Sequence, residues 1–548
     1  MTTRRAKRGA IESVFWKGFG GGLGEHIHDP DGNGYAIATN CDTRWNDLQP
    51  GPLEVADMTG IAAGYYVVDW LKHNDVNIAV TTNGTNTIVY REETSVWATK
   101  ATFNGIAAGP HCLLSFHDGT NSTLVVFLGA ATAFQYTVDD GTNWTASTRT
   151  GNTKYGNMGI VRQNARTSAD VLYVRSPNQI YTSTSMVNGG AAADTGSTIG
   201  DGSAQTYFNS VVEDDTGVII FGMRHAAWSM DSTGAIYRLC EDVPDPPADA
   251  GGTSDRRNFE SFAVRGARIY YIVGGYELWE YYHGVWNKEA APWHQAERNG
   301  GEIPRAHLPL NAVAVAGEWI VLAMGLKTTT QRSFSFSEGG TTLLQNTLVA
   351  TSELYAMAPR ETEGGYVMVW HGSILTCTDP LRFMWFDEDD SYLYLASGDA
   401  ESINLQQKRC FFATSDPLTT ASASTVTLNN GTVTVETGLL SAEYPFDVVR
   451  PISLKCVARG LTSSVTLAVR TRFVPENDTS TAYVTRETFS NGQRALYGTR
   501  FPEVESFRTG RIQFQLSSGG SGNNYGALRS AELLLAPFSE AKLSSMSY

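Results

Sequence analysis

One stretch near the start of the chain places possible metal ligands at close spacing. Asp29–Gly34 (DPDGNG) has oxygen donors at alternate positions and a glycine at the sixth, as calcium loops do. The twelfth position is Asn40, which lacks the bidentate carboxylate of a strong calcium site, so a glycine-rich Asx turn is favoured. Closely spaced polar side chains just before it could ligate a transition metal, but such residues are more often solvated or at an interface. They are Glu25, His26, His28 and Asp29. We predict no metal and no cofactor.

A run of four acidic residues, Asp387–Asp390, lies between the apolar runs Leu381–Phe386 and Tyr392–Ala396. Paired carboxylates can act as general acid and base. Four in succession at a hairpin tip are instead typical of a solvated turn. The chain also lacks the HExxH, GxSxG, P-loop and complete GxGxxG motifs. The sequence therefore predicts no catalytic residue and no enzyme.

Aromatic residues are dense around Arg268–Trp286, where two apolar runs flank a Gly-Gly turn and predict a β-hairpin. They could form a surface for sugar stacking or protein docking, but strand alternation favours a core position for about half of them. They are Tyr276, Trp279, Tyr281, Tyr282, Trp286 and Trp293.

The same hairpin pattern recurs along the chain at intervals of 46 to 51 residues. A second apolar run follows the first by 9 or 10 residues in five copies, and in the sixth an insertion at 327–345 displaces it to Leu354. This period without helical periodicity predicts a β-propeller of seven blades, the alternative being an irregular series of hairpins. The first runs centre on Ile78, Leu124, Val171, Val218, Ile269, Ile320 and Val367, and the second on Ile88, Phe134, Ile180, Trp228 and Leu278.

Composition limits the partners of the chain. The 548 residues carry a net charge of −15, which argues against a broad nucleic-acid-binding surface or docking on anionic lipid. No apolar run reaches membrane-spanning length, and the basic N-terminus lacks the apolar core of a signal peptide, so we expect synthesis in a cytoplasm and no membrane insertion. Six cysteines without CxxC spacing predict buried thiols, with disulfides left open.

Changes in composition divide the chain into four segments. Residues 1–56 are rich in glycine and proline and predict an extended arm. Residues 57–410 carry the repeats of the propeller, and 411–436 form a Ser/Thr-rich linker with a hairpin turn at Asn429–Gly431. Residues 437–548 contain longer alternating strands, with Val465, Leu467 and Val469 on one face, and predict a β-sandwich. Ile512, Phe514 and Leu516 repeat this alternation.

One repeat contains TVDDGTNW, residues 137–144. Thr137, Asp139, Gly141 and Trp144 resemble the Asp-box hairpin of sialidase-like propellers, although Asn143 stands where threonine is usual. The Asp139 carboxylate can accept backbone N–H bonds within the tight turn while Trp144 packs on the sheet. The motif is predicted to be structural and supports the fold rather than a hydrolase.

Both ends of the chain resemble structural proteins of tailed bacteriophages. At the start, Phe19-Gly20-Gly21-Gly22-Leu23 is followed by ATN at 38–40, by DTRW at 42–45 and by PGP at 50–52. At the end, FP at 501–502, TGRIQFQL at 509–516 and AELLLAP at 531–537 resemble the C-terminal sandwich of those proteins.

This resemblance implies a non-enzymatic structural component of the virion, in the tail or its adaptor or distal region. The chain would assemble as a ring through its arm and propeller faces, with Phe19, Gly20, Gly21, Gly22, Leu23 and Trp45 contacting a neighbouring subunit. Implied partners are copies of the same chain and other phage tail proteins. The acidity of the chain adds a hypothesis: if part of its surface lined a DNA conduit, a negative lumen would let the duplex pass without specific binding. The alternative is a carbohydrate-binding or glycan-cleaving propeller, either a receptor-binding protein or a sialidase-like enzyme.

Overall fold

The computed structural model describes most of the chain. The described residues are 12–20, 22–23, 34–56, 59–94, 96–109, 111–117, 121–128, 134–146, 158–161, 171–175, 179–183, 192–199, 208–244, 258–298, 310–335, 342–362, 365–377, 381–397, 407–417, 428, 431–438, 440–441, 448–474, 482–490, 496–502, 505–518 and 525–538. In this part of the chain the secondary structure is β-strand apart from the helix α1 (Pro292–Arg298), which confirms the all-β prediction.

The N-terminal segment contributes five short strands. They are β1 (Glu12–Trp16), β2 (Ile37–Thr39), β3 (Cys41–Asp42), β4 (Gln49–Pro50) and β5 (Glu54–Ala56).

Seven four-stranded antiparallel sheets follow between Tyr66 and Phe411 in the described residues. The first is β6 (Tyr66–His73), β7 (Val76–Thr82), β8 (Thr87–Glu93) and β9 (Val96–Phe103). The second is β10 (Leu113–His117), β11 (Ser122–Val126), β12 (Gln135–Thr137) and β13 (Thr145–Ala146). The third is β14 (Met158–Val161), β15 (Val171–Arg175), β16 (Gln179–Ser183) and β17 (Ala192–Thr198). The fourth is β18 (Phe208–Glu213), β19 (Ile219–Met223), β20 (Ala227–Met230) and β21 (Ile236–Arg238).

The remaining three sheets continue the series. The fifth is β22 (Phe262–Arg265), β23 (Arg268–Val273), β24 (Glu277–Tyr282) and β25 (Val285–Asn287). The sixth is β26 (Leu310–Ala316), β27 (Trp319–Ser335), β28 (Thr342–Thr362) and β29 (Gly365–Cys377). The seventh is β30 (Leu381–Asp387), β31 (Tyr392–Ser397) and β32 (Lys408–Phe411), completed by β5.

The sheets are arranged in a circle. The first strand of one sheet contacts the first strand of the next at β6–β10, β10–β14, β14–β18, β22–β26 and β26–β30, and β30 returns to β6. The N-terminal strand β5 pairs antiparallel with β32, with Val55 opposite Arg409. A radial circle of small sheets closed by a strand from the other end of the chain is a β-propeller, which protects strand edges that an open array would expose.

The pairing of the predicted hairpins is confirmed in the described residues. Ile78 and Ile88 lie on the paired strands β7 and β8, and Ile269 and Leu278 lie on β23 and β24. In the sixth sheet Leu354 of β28 pairs opposite Ala323 of β27. The described residues of the insertion, 327–335 and 342–345, extend these two strands.

The predicted position of the seventh repeat is wrong. Val367 lies on β29, the fourth strand of the sixth sheet, where it is opposite Arg360. The second strand of the seventh sheet is β31, with Leu393 and Leu395 fully or almost fully buried. The long apolar strand β29 lies at the repeat spacing, and its sequence therefore resembles the apolar run that was expected for the seventh repeat.

Two further sheets contain the C-terminal strands. One has the order β1, β40 (Ala527–Phe538), β35 (Val448–Arg459) and β38 (Leu496–Arg500). The other has the order β2, β33 (Thr432–Glu436), β39 (Thr509–Ser518), β36 (Val465–Val474) and β37 (Val484–Phe489), with β34 (Leu440–Ser441) paired to β39. Both sheets contribute to one hydrophobic core, and the alternating residues Val465, Leu467 and Val469 are buried as predicted.

The structure corrects the predicted segment boundaries at both ends. The described residues between 12 and 56 do not form a separate arm, because β1 and β2 are edge strands of the two C-terminal sheets and β5 closes the circle of sheets. The predicted linker 411–436 overlaps both units, since Phe411 ends β32 and Thr432–Glu436 form β33. Asn429 and Asn430 of the predicted hairpin turn lie outside the described residues.

Candidate functional site

A cavity of about 350 Å³ lies where the first strands of four sheets meet near the axis of the circle. Its walls come from β6, β22, β26 and β30 and from the turn that precedes β10. Strand order explains this placement, because the first strand of each sheet is the one nearest the axis. The polar side chains in the lining are Asp69, His111, Glu260, Ser261, Asn311 and Arg382.

The Arg382 guanidinium lies 4.0 Å from the Glu260 carboxylate, and both side chains remain partly exposed, at 28% and 20%. The same guanidinium lies over the ring of Tyr66, 5.0 Å from its centroid. Arg382 and Tyr66 belong to the seventh and first sheets, and Glu260 lies just before the first strand of the fifth. The circular fold thus gathers an arginine, a glutamate and a tyrosine that are far apart in sequence.

His111 connects the second sheet with the fifth. Its Nε2 lies 2.6 Å from the backbone carbonyl oxygen of Glu260. Because a carbonyl only accepts, Nε2 carries the proton and donates it. The imidazole also packs on Phe262, with ring centroids 4.6 Å apart. This fixes the side chain at the edge of the cavity.

Asp69 has its carboxylate oxygens occupied by the backbone. Oδ1 accepts from the N–H of Trp70 at 2.8 Å, and Oδ2 accepts from the N–H of Leu113 at 2.6 Å. Burial raises the pKa of this carboxyl, while His111 and the backbone donors oppose that rise. Asp69 therefore fastens the first sheet to the second and is poorly placed to exchange protons with a ligand.

Aromatic residues provide much of the remaining wall. Trp70 and Trp385 stack with ring centroids 5.2 Å apart and planes 10° from parallel. Phe262, Phe383 and Trp385 line the cavity and are only partly buried. Among the described residues, the buried Nε1 of Trp70 and the buried Oδ1 of Asn311 have no hydrogen-bond partner. The cavity thus combines aromatic surface with a few polar groups, as small-molecule sites do.

The Asp-box-like turn connects β12 and β13. Asp139 Oδ1 accepts from the Thr137 hydroxyl at 2.6 Å and from the N–H of Asn143 at 2.8 Å. The Trp144 indole donates to the carbonyl of Gly141 at 3.0 Å, and Gly141 has a φ of +85°, which favours glycine. Asn143 also donates from its side chain to Asp139 Oδ2, so the residue that departs from the motif reinforces the turn.

Two related turns were not predicted from the sequence. Asp214 Oδ1 accepts from the N–H groups of Thr216 and Val218, both at 2.9 Å. Asp231 Oδ1 accepts from those of Thr233 and Ala235, at 2.9 and 3.0 Å. The shared pattern DxTG was the available signal, because each glycine (Gly217 and Gly234) follows the threonine with a φ of +84°. These carboxylates are engaged in turns.

The acidic run 387–390 lies at the turn between β30 and β31. Asp387 is buried and receives hydrogen bonds from Lys72 at 3.3 Å and from the Asn77 amide at 3.0 Å. Lys72 also pairs with Asp389. Asp390 is exposed. These contacts hold the seventh sheet against the first. Among the described residues of the run, no two carboxylates face a cleft together.

The candidate partner-contact residues of the N-terminal segment are occupied within their own chain. Phe19 is fully buried, with its ring 6.1 Å from Phe514, and the N–H of Leu23 donates to the carbonyl of Trp370 at 2.9 Å. Trp45 packs edge-on against Trp319. The expectation that these side chains face a neighbouring subunit is therefore wrong for Phe19 and Leu23, because both are buried against the propeller and the C-terminal sheets.

The glycines of the same segment pack closely. A Cβ on Gly20 would lie 2.9 Å from Asn46 Oδ1, and one on Gly22 would lie 2.5 Å from the carbonyl oxygen of Trp370. Gly22 also has a φ of +72°. Gly21 lies outside the described residues. Close approach of other groups of the same chain explains the glycines at positions 20 and 22.

The aromatic residues around the fifth sheet are mostly core, as the alternation favoured. Trp279, Tyr281 and Trp293 are buried, whereas Tyr282 is 44% exposed. A second cavity of about 580 Å³ lies beside Trp279, where the Lys288 ammonium sits 4.4 Å from the indole centroid. Its lining includes Glu241, Asp242 and Glu277.

No cluster of three potential metal ligands occurs in the described residues. The candidates Glu25, His26, His28 and Asp29 lie outside them. Within the same limits, none of the helices has the length and apolar character needed to cross a membrane.

Comparison with known proteins gives no assignment. No family model matches the chain, and no curated protein does. Among solved structures, YCF48 from Cyanidioschyzon merolae is 12% identical with a TM-score of 0.38, covering 65% of this chain and 99% of its own. A chain of the mitotic checkpoint complex is 11% identical with a TM-score of 0.38, covering 66% of this chain and 96% of its own. The GH74 enzyme of Niastella koreensis is 12% identical with a TM-score of 0.30, covering 70% of this chain and 73% of its own. Similarity at this level assigns no activity.

Proposed function

We propose that this chain is a non-enzymatic structural component of a tailed-phage virion, in the tail or its adaptor or distal region. In this proposal each of the seven four-stranded sheets is one propeller blade, and the two C-terminal sheets form a β-sandwich. Copies of the chain assemble as a ring, contact other tail proteins and allow DNA to pass without specific binding. The protein would be made in the host cytoplasm and located in the virion tail.

The observation that carries this proposal is the way in which the N-terminal segment joins the two units. One continuous hydrophobic core contains Phe19 and Tyr35 of the segment, Phe514 of the C-terminal sheets and Trp370 of the sixth sheet. Gln295 of α1 donates to the carbonyl of Leu23 at 3.2 Å. A propeller and a second unit fastened in this way form one stiff body, which suits a repeated building block. The similarity of both chain ends to phage structural proteins supports the same role.

The test is electron microscopy of the purified chain, together with mass spectrometry of phage particles from the source of the gene. A closed ring of copies, and peptides of the chain in particles, are the expected results. A chain that stays monomeric at high concentration and is absent from particles would contradict the proposal. Because Phe19 and Leu23 are occupied, we expect the ring contacts to lie on other surfaces.

A second candidate function is a carbohydrate-binding or glycan-cleaving propeller. The specific observation that favours it is the axial cavity, which brings Arg382, Glu260 and Tyr66 together beside aromatic rings. Screening glycans for binding and turnover separates this role from a purely structural one. The two roles are compatible, because a tail protein can also bind a receptor.

A further inference from the structure

We propose that the axial cavity binds one uncharged saccharide residue and does not cleave it. This inference rests on the second candidate function and specifies its ligand class. It is independent of ring assembly, which is measured separately.

The cavity has the size and the access that one sugar ring requires. Ligand sites in proteins have volumes of about 300–1,000 Å³, and this cavity, at about 350 Å³, accommodates one sugar ring rather than a long chain. Val264 in its wall is 38% exposed, and Arg382 is 28% exposed. Solvent, and therefore a small solute, reaches the polar groups.

The cavity also presents balanced charges to a ligand. Glu260 and Arg382 lie 4.0 Å apart, so the accessible part of the cavity presents one acceptor and one fork of donors side by side. An anionic ligand would meet Glu260, and a cationic ligand would meet Arg382. Neighbouring hydroxyl groups each donate and accept, and they can bind both side chains without separating the pair.

Part of the cavity wall is apolar. A sugar ring has C–H faces as well as hydroxyl groups. Phe262, Phe383 and Trp385 line the cavity and are only partly buried, so aromatic surface is present beside the charged pair. A ligand that is polar at its edge and apolar on its face matches this combination.

The described lining of the cavity does not support hydrolysis of a glycosidic bond by two carboxyl groups. Glycoside hydrolysis commonly needs two carboxyl groups that flank the scissile bond. The cavity lining contains two, but both oxygens of Asp69 accept backbone N–H bonds. In the described lining this leaves Glu260, which is paired with Arg382, as the carboxylate beside the ligand space, so these residues supply no acid and base pair.

The test is ligand-observed NMR of the full chain with glucose, galactose, mannose and N-acetylglucosamine as probes. Glucuronic acid and N-acetylneuraminic acid are the charged comparators. We expect at least one neutral sugar to bind with a Kd of about 1–10 mM and to compete with a neutral polysaccharide carrying the same terminal residue. If the free sugar binds but the polysaccharide does not compete with it, the ligand is a free sugar in solution. Failure of every neutral probe to bind overturns the proposal, as does tighter binding of the acidic sugars.

Three variants locate the site. Glu260→Gln removes the acceptor charge and should weaken binding about tenfold. Val264→Trp fills the cavity without altering the charged pair and should abolish binding. Lys288→Ala, in the second cavity, should leave binding unchanged. Thermal unfolding checks that each variant is folded, and Val264→Trp remains informative if Glu260→Gln is unstable. Unchanged binding in Val264→Trp, or loss only in Lys288→Ala, overturns the assignment.

Oligosaccharides that contain the bound sugar are then incubated with the chain and analysed by mass spectrometry. We expect them to remain intact. Cleavage that disappears in Glu260→Gln would overturn the inference that the cavity only binds. Ring formation by the same variants, followed by electron microscopy, should be unaffected, so failure of this inference and failure of the structural proposal are distinguishable.

Discussion

Trp16 of β1 packs edge-on against Phe514 of β39, with ring centroids 6.1 Å apart and planes at 75°. The two residues come from opposite ends of the chain and from different sheets of the C-terminal pair. Trp16 is 4% exposed, whereas its neighbour Phe15 on the same strand is 43% exposed. The first strand of the chain is therefore part of the core of the last unit.

Replacement of Trp16 by alanine should reduce the free energy of unfolding of the C-terminal unit by about 3–5 kcal/mol, because it leaves a cavity in a packed core. Phe15→Ala is the matched control on the opposite face of β1, and it should cost less than about 1 kcal/mol. Chemical denaturation, monitored by far-UV circular dichroism, measures both changes in the free energy of unfolding. Equal costs for the two variants would show that β1 does not occupy this edge in solution.

The closing strand β5 is held to β32 by an ion pair as well as by antiparallel strand pairing. Glu54 Oε1 lies 3.2 Å from Lys408 Nζ, with side chains only 8% and 15% exposed. Glu54→Gln should cost about 2 kcal/mol, because it leaves a largely buried ammonium without its counter-charge. The double variant Glu54→Gln/Lys408→Met should be more stable than Glu54→Gln alone.

The exposed pair Glu93–Lys100 provides the control for this measurement. Glu93→Gln should change stability little, since surface ion pairs are screened by water. A similar loss in Glu54→Gln and Glu93→Gln would argue against a special role for the closing pair.

Asp139 should make stability depend on pH in the acid range. The N–H of Asn143 and the Thr137 hydroxyl lower the pKa of this carboxyl to about 2, below the value of about 3.9 in an unfolded chain. A depressed pKa stabilises the fold above the unfolded value, and this contribution is lost as the pH falls through the folded value. The wild-type chain should exceed Asp139→Asn in stability above about pH 4, and the difference should vanish near pH 2.

Urea denaturation at a series of pH values measures this difference. Asp390→Asn, at an exposed position of the β30–β31 turn, is the control for the loss of a surface charge. A difference between wild type and Asp139→Asn that persists unchanged at pH 2 would contradict the assigned contacts.

The cysteines should differ in reactivity. Burial raises the pKa of the Cys456 thiol to about 12 and also raises those of Cys41, Cys112 and Cys410. Burial raises the pKa of Cys240 as well, but this thiol is partly exposed and should react first with iodoacetamide at about pH 8, because the reagent must reach the sulfur. Mass spectrometry of alkylated peptides gives the order. All six should react in guanidinium chloride, and labelling of Cys456 as fast as Cys240 in the native chain would refute the prediction.

The repeat was accessible from sequence because each hairpin has a local pattern. Ile269 and Leu278 are nine residues apart and lie on directly paired strands, so turn length alone determines their relationship. The turn of Asp139 was accessible for the same reason, since all its partners lie within four residues.

Other relationships have no local signal. The pairing of Val14 with Leu533 joins strands more than 500 residues apart, and neither sequence indicates the other. The error at Val367 arose because an apolar strand at the right spacing looks the same whether it is second or fourth in its sheet. The cavity could not be predicted from the sequence either, because Tyr66, Glu260 and Arg382 become neighbours only when the circle closes.

The position of the N-terminal strands also has a consequence for biosynthesis. β1 and β2 leave the ribosome first, yet their partners β40 and β33 are among the last strands to be made. At about 5–20 residues per second, β1 waits for tens of seconds with an unpaired edge. The circle cannot close until β32 emerges, and the C-terminal pair of sheets cannot close until β40 emerges, so folding should be slow and mainly post-translational. We expect truncated nascent chains to depend on chaperones for as long as those first strands remain exposed.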